Sequence, residues 1–331
     1  MNELQHPRIS VVVPTFNRCE RLHRVLRSLA EQDLDEPFEV IVVSDGSTDG
    51  TNDYLRSDDL PLPILACLQE NQGPAGARNA GVSRASGDLV VFVDDDVVAE
   101  PDLLRHHRDA HERHGDRAVV IGPMLNPPDH AMSPWIAWEQ AMLAKQYDDM
   151  LAGKYQATPR QFYTGNASVR REHLLAAGGF DTTFRRAEDI ELSFRLHDQG
   201  LTFHFEPDAR GRHYAERSYE SWKATAYTYG RNEMVFARDL GRGWVFDTTR
   251  ESFQQHHPLV RRLASRCVRS STWRRRSIDV LERVTRSGWS ERAQRYALSG
   301  VYAIEYHQGV TDELGSADAF DALMDGARPE R

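Results

Sequence analysis

Short apolar runs alternate with amphipathic stretches through the first third of the chain. Residues 9–13 (ISVVV) form a β-branched run that Pro14 should end, because proline has no N–H to give to a central ladder. Leu22, Val25, Leu26 and Leu29 then recur at the three-and-four spacing of a helix. Further runs at 40–43, 64–68, 89–93 (LVVFV) and 119–121 are set off by polar turns and by two more helical stretches. One of these passes through Arg78 to residue 84; the other starts at Pro101, a residue suited to the first helical position. Near-continuous apolar strands alternating with such helices predict a parallel sheet covered on both faces. Right-handed crossovers put every strand's carboxyl end on one side. Thr15, Asp45 and the triplet Asp94, Asp95 and Asp96 should therefore converge on one crevice, where open α/β sheets bind ligands.

After Pro123 the pattern loosens into a loop and a helix around residues 135–145. Residues 162–168 (FYTGNAS) predict a strand and turn. Residues 188–199 predict a helix with Ile190 and Phe194 on one face and Gly200 just past its end. Leu201, Phe203 and Phe205 alternate as a strand. From Tyr219 onward the chain reads mostly helical, which divides it into a catalytic α/β domain at 1–215 and a helical region at 216–331.

Composition narrows the function classes. The 331 residues carry 41 basic and 50 acidic side chains, a net charge of −9, which disfavours a duplex nucleic acid as the main partner. No stretch approaches the roughly 18 apolar residues of a membrane span, and the first residues have no signal-peptide core. Cys19, Cys67 and Cys267 stand far apart and read as reduced thiols, so the expected location is cytoplasmic.

Several residues could carry chemistry. Three adjacent carboxylates at a strand end repel one another, and a compact fold keeps them ionised only with a cation or many donors nearby. Hard oxygen ligands of that kind suit Mg²⁺ or Mn²⁺ shared with a phosphate. The plainer alternative is an acidic turn capping the helix near Pro101. Asp45 could accept hydrogen bonds from a base or ribose, or could simply be the first residue of an Asp-Gly turn. Arg78 follows a Gly-Pro-Ala-Gly turn, where an arginine makes an anion site or a solvated charge. Glu188 and Asp189 open a helix whose dipole favours acids there; the same dipole would keep a general base ionised. His213 is one of fourteen histidines, and a single histidine is more often structural than a ligand. His107 and His111 have i, i+4 spacing but no HExxH pattern, so their helix reads as solvated.

Taken together these residues resemble a known family. The segments Pro14-Thr15-Phe16-Asn17-Arg18, Ser44-Asp45-Gly46-Ser47, Gly76-Ala77-Arg78-Asn79, Val93-Asp94-Asp95-Asp96 and Ala187-Glu188-Asp189 are similar, in order and spacing, to those of the inverting glycosyltransferases of family 2. The resemblance runs from about residue 9 to residue 213. It implies a GT-A fold: a Rossmann-like, mostly parallel sheet flanked by helices, here with a mostly helical C-terminal extension. It also implies roles. Pro14, Thr15, Phe16 and Arg18 would line the base and ribose, Asp45 would bind the base or ribose edge, and Arg78 would sit near the base or diphosphate. Asp94 and Asp95 would face the nucleotide, and Asp96 would hold Mn²⁺ or Mg²⁺, with His213 as a further ligand. Asp189 would be the catalytic base with Glu188 beside it, and Gly165 and Asn166 would shape the donor-sugar pocket. The implied reaction moves a sugar from a nucleoside-diphosphate sugar, a UDP-sugar first among them, to a hydroxyl of a glycan, a lipid-linked sugar or a small metabolite.

Other readings fit less of the sequence. A nicotinamide-dependent oxidoreductase would need a GxGxxG after a strand, and none is present. A sugar-phosphate nucleotidyltransferase has no evident use for Glu188 and Asp189. A non-catalytic nucleotide-sugar-binding protein would not need metal and base positions together. In the C-terminal region Trp222 and its aromatic neighbours could cover the acceptor side or form plain core, the commoner role. The arginine-rich stretch 261–286 could be a basic helix contacting the inner membrane surface, or a solvated face; the broken apolar stripe at 270–272 favours the solvated face.

Overall fold

A computed structural model describes residues 7–286 and 290–328. The chain forms two compact units: one holds residues up to 131 together with 142–215, the other holds 132–141 and everything from 216 onward. One break between the units falls after residue 215, and the first residues of the helix Pro134–Leu151 belong to the second unit.

The first unit is built on a seven-stranded sheet. Its strands are β1 (Ile9–Thr15), β2 (Phe38–Asp45), β3 (Leu65–Gln69), β4 (Leu89–Val93), β6 (Ala118–Ile121), β8 (Asn166–Arg170) and β9 (Thr202–Phe205), in the spatial order β3-β2-β1-β4-β8-β6-β9. A second sheet of three strands sets β10 (Gly211–His213) between β5 (Val97–Ala99) and β7 (Met124–Leu125). Pairing is parallel except at β8, which runs antiparallel to β4 and β6, and between β10 and β5. The apolar runs predict the parallel strands; the antiparallel β8 makes the sheet mixed, the mostly parallel α/β class that the resemblance implies.

β-branched residues dominate the central strands because both faces are covered. Val11, Val13, Val40 and Val42 meet the helix Cys19–Ala30 through Leu22, Val25, Leu26 and Leu29 in one cluster. Val12, Ile41, Val43 and Phe92 pack on the opposite face with Ala77, Val82 and Leu192. Burying each such side chain contributes roughly 1.5–3 kcal/mol. Gly81 is required by this packing: a Cβ there would lie 2.3 Å from Val12 Cγ1.

Two expectations need correction. Pro14 does not end β1, which continues to Thr15 with Pro14 opposite Val43. The β1–β4 ladder stops at Val12, so the missing N–H costs no bond on that side. The helix carrying His107 and His111 is not solvated along that face. Both imidazoles are buried beneath the sheet, where the Ser168 hydroxyl meets His107 Nδ1 at 2.8 Å and His111 Nε2 at 2.9 Å. Burial pulls both well below the ordinary imidazole value, His107 to about 4.

The second unit is helical. The helices Tyr219–Arg238 and Glu291–Leu314 form its spine, brought together where Gly230 and Gly309 let the backbones touch; a Cβ at either glycine would lie 2.0 Å from the other helix. Trp222 is buried there against Leu298 and Val301, beside Trp138 and Tyr302. It therefore serves as core and is not an open sugar-stacking face. Among the described residues no helix is long and apolar enough to cross a membrane, and the three cysteines are unpaired.

Candidate active site

The crevice at the carboxyl ends of β1, β2 and β4 collects the polar residues as topology requires. Asp45, at the end of β2, is buried and accepts from the Gln69 side chain and the backbone N–H groups of Gln72 and Gly73, each at 2.8 Å. These amides open the helix Gly73–Arg84, so the carboxylate sits where the helix dipole favours it. Thr15, paired with Ser44 at the end of β1, is buried, while Phe16, next to it, is exposed. Asn17 adopts φ of 54°, a conformation asparagine tolerates better than most residues, and its side-chain oxygen accepts from the Thr48 N–H at 2.7 Å.

The aspartates beyond β4 have three different surroundings. Asp94 is the most exposed, and its Oδ1 takes a hydrogen bond from Arg78 Nη2 at 2.8 Å. Asp95 and Asp96 are buried and share Arg18, whose Nη1 lies 2.9 Å from Asp95 Oδ1 and 2.8 Å from Asp96 Oδ2. Burial raises the Asp95 carboxyl despite that arginine. Burial opposes ionisation of Asp96 too, but His213, Arg18 and Arg21 outweigh it and hold the group well below the ordinary range. Burial likewise lowers Arg18, yet the two carboxylates override it and its pKa is raised.

His213 reaches this cluster through strand pairing. It stands opposite Val97 in the β10–β5 ladder, next to Asp96, and the Tyr214 N–H donates to the Asp96 carbonyl at 2.8 Å. Its Nε2 is 3.5 Å from Asp96 Oδ1. Among the described residues no group of three or more His, Cys, Asp or Glu side chains could hold a metal ion. As a donor set, the Asp96 carboxylate oxygen and the His213 imidazole nitrogen would suit Mn²⁺ better than Mg²⁺, with the remaining ligands to come from phosphate and water.

The second acidic motif opens the helix Glu188–Asp198. Ala187, just before it, has φ of 60°, a costly conformation for a residue with a Cβ and one that gathers at functional sites. Asp189 Oδ1 accepts from the Ile190 N–H at 2.8 Å. Burial and the neighbouring Glu188 push the Asp189 carboxyl up to about 7, against the pull of Arg78.

Arg78 joins the two motifs. This buried guanidinium gives Nη2 to Asp94 and Nη1 to Glu188 Oε1 at 2.7 Å. Sequence reasoning placed Arg78 near the nucleotide and missed the bridge, because its partners lie 16 and 110 residues away. Gly165 stands beside Asp94: a Cβ would lie 2.5 Å from Met124 Sδ and 3.2 Å from Asp94 Oδ2. Asn166 is different from its expected role. Its side chain is fully buried and its amide nitrogen donates to the carbonyls of Pro123 and Ala209, while its oxygen meets His107 Nε2 at 2.9 Å. With every polar atom engaged, Asn166 ties the sheet to the turns before β7 and β10 and does not line a pocket.

Fold and crevice together define a mostly parallel α/β domain that gathers acidic and basic side chains at the carboxyl ends of its strands. Residues 10–177 match the model of glycosyl transferase family 2, and the chain belongs to that family. It is 32% identical over 247 residues to YfnE, an uncharacterized glycosyltransferase of Bacillus subtilis, covering 60% of this chain and 62% of that one. It is 35% identical over 224 residues to the validoxylamine A glucosyltransferase of Streptomyces hygroscopicus, covering 59% and 52%. The alignments thus span between about half and three-fifths of these relatives' lengths. Among solved structures it resembles Staphylococcus aureus TarS in complex with UDP at 19% identity and a TM-score of 0.51, covering 97% of this chain and 93% of that one. The mannosyltransferase PcManGT of Pyrobaculum calidifontis gives 22% and 0.51, covering 98% and 78%. At these identities the likeness concerns the fold, which is of the GT-A type.

Proposed function

We propose that the chain is an inverting glycosyltransferase that moves a sugar from a nucleoside-diphosphate sugar to an acceptor hydroxyl, with Asp189 as general base. The observation that carries this reading is the Arg78 bridge: one buried guanidinium binds the carboxylate at the end of β4 and the acid beside Asp189. Two acidic motifs far apart in sequence are thereby held in one crevice.

Each group then has a task. The acceptor oxygen attacks the anomeric carbon from the face opposite the leaving group, and Asp189 takes its proton. The bond from that carbon to the phosphate oxygen breaks, its electron pair leaves with the nucleoside diphosphate, and the configuration inverts. An Asp189 carboxyl raised toward neutrality is a stronger base than an ordinary aspartate and still ionises near pH 7. Asp96 and His213 would hold Mn²⁺ or Mg²⁺, which when bound neutralises the charge developing on the diphosphate. Pro14, Thr15, Phe16, Asp45, Asp94 and Asp95 would surround base and ribose, and Arg18, held by Asp95 and Asp96, would lie close to the diphosphate. The donor class agrees with TarS, solved with UDP, and PcManGT, solved with GDP-mannose and Mn²⁺. The acceptor class stays broad: glycan, lipid-linked sugar or small metabolite.

The pH profile tests this reading. With uracil and guanine nucleotide sugars as donors, transfer to an added acceptor, or slower hydrolysis by water, should rise with pH as Asp189 loses its proton. The acid limb of kcat/KM should centre near 7, well above the value of about 3.9 for a solvated aspartate. A flat profile from about pH 5 to about 8 would remove Asp189 from the mechanism.

A further inference from the structure

The helices Pro258–Arg269 and Ser271–Arg286 of the second unit carry nine arginines against two carboxylates, an excess of seven positive charges on a chain whose net charge is −9. Part of this charge is consumed inside the unit. Arg269 pairs with Asp318 and Asp321, and Arg274 pairs with Glu305. Arg262, Arg266, Arg276 and Arg283 are exposed, and among the described residues no carboxylate lies within ion-pair distance of them. Large apolar side chains stand among them: Leu259 is 66% exposed, Trp273 53% and Val280 56%.

The spacing makes this one surface. Leu259, Arg262 and Arg266 recur at three and four residues along the first helix, and Trp273, Arg276, Val280 and Arg283 do so along the second. The two stripes meet where the Arg266 guanidinium lies over the Trp273 ring, 5.8 Å from its centroid. The opposite faces carry the packing, with Cys267 and Ile278 in one buried cluster.

We propose that this face docks on an anionic lipid bilayer. A purely solvated basic face has no use for a leucine, a valine and a tryptophan held out in water. A partner read by charge alone, such as a nucleic acid backbone, would not need them either. An interface between water and acyl chains uses both: apolar side chains enter the headgroup boundary, tryptophan prefers that level, and arginine stems lie along it with their heads on lipid phosphates. The proposal concerns attachment alone and stands independently of the reaction proposed above.

Cosedimentation of the full chain with lipid vesicles tests it. Binding should appear with vesicles containing about one-third phosphatidylglycerol, be near zero with phosphatidylcholine alone, and fall as salt is raised. Replacing Arg262→Glu, Arg276→Glu and Arg283→Glu together should lower partitioning about a hundredfold or more, since each cation near such a surface contributes several-fold. Trp273→Ala should weaken binding at constant charge. All four positions are exposed, and an unchanged thermal melt confirms that the variants fold. No binding to the anionic vesicles at low salt, equal binding to neutral ones, an unaffected triple variant, or duplex DNA displacing the vesicles would each overturn the proposal.

Discussion

Asp189→Asn should lower kcat by about 10²–10⁴-fold, the range by which a positioned general base accelerates a reaction, while leaving the dissociation constant for the nucleotide unchanged. The amide keeps the volume and planarity of the carboxylate and cannot take the acceptor's proton. The fold should accept it well, because burial and Glu188 already favour the uncharged carboxyl over the charged one. A substitution that preserves the melting temperature and nucleotide binding but stops turnover isolates the chemical step. Turnover within about threefold of the parent enzyme would assign the base elsewhere.

Arg78→Met should destabilise the protein by about 3–5 kcal/mol, because it leaves Asp94 and the buried Glu188 without their shared counter-charge. It should also move the activity profile. The positive charge of Arg78 opposes the rise of the Asp189 carboxyl, so its removal shifts the acid limb to higher pH, and raising the pH should restore part of the lost rate. Arg78→Lys keeps one charge but lacks the fork that reaches two carboxylates at once, and should fall between the two. Urea denaturation reads the first effect and the pH profile the second. A methionine variant as stable as the parent, with an unmoved profile, would show that the bridge holds nothing together.

What could be read in the sequence follows from physics that is local. The runs at 9–13, 40–43 and 89–93 announce buried parallel strands because both faces are apolar, and crossover handedness gathers Asp45 and Asp94–Asp96 without further information. The helix at Glu188 shows its own amphipathic period. What escaped depends on pairing over long distances. Strands β5, β7 and β10 are two or three residues long, too short for any period, yet the pairing of β10 with β5 brings His213 to Asp96. Of the strand and turn predicted over 162–168, the turn falls at 164–165 and the antiparallel β8 begins after it at Asn166 and runs on to Arg170. His107 and His111 look like surface residues on an arginine-rich helix until Ser168 and Asn166 arrive from a strand some sixty residues later to receive them. Trp222 gave no signal that separates a sugar platform from a core residue; only its burial does.

The proposed cation site at Asp96 and His213 can be read without any acceptor sugar. Electron paramagnetic resonance of free Mn²⁺, titrated with protein and with UDP or GDP, measures cation binding directly and needs no acceptor. Nucleotide and protein together should deplete the free-ion signal far more than either alone, and Asp96→Ala or His213→Ala should return it about to the level of nucleotide alone. Depletion that is the same with and without these two side chains would contradict the proposed site.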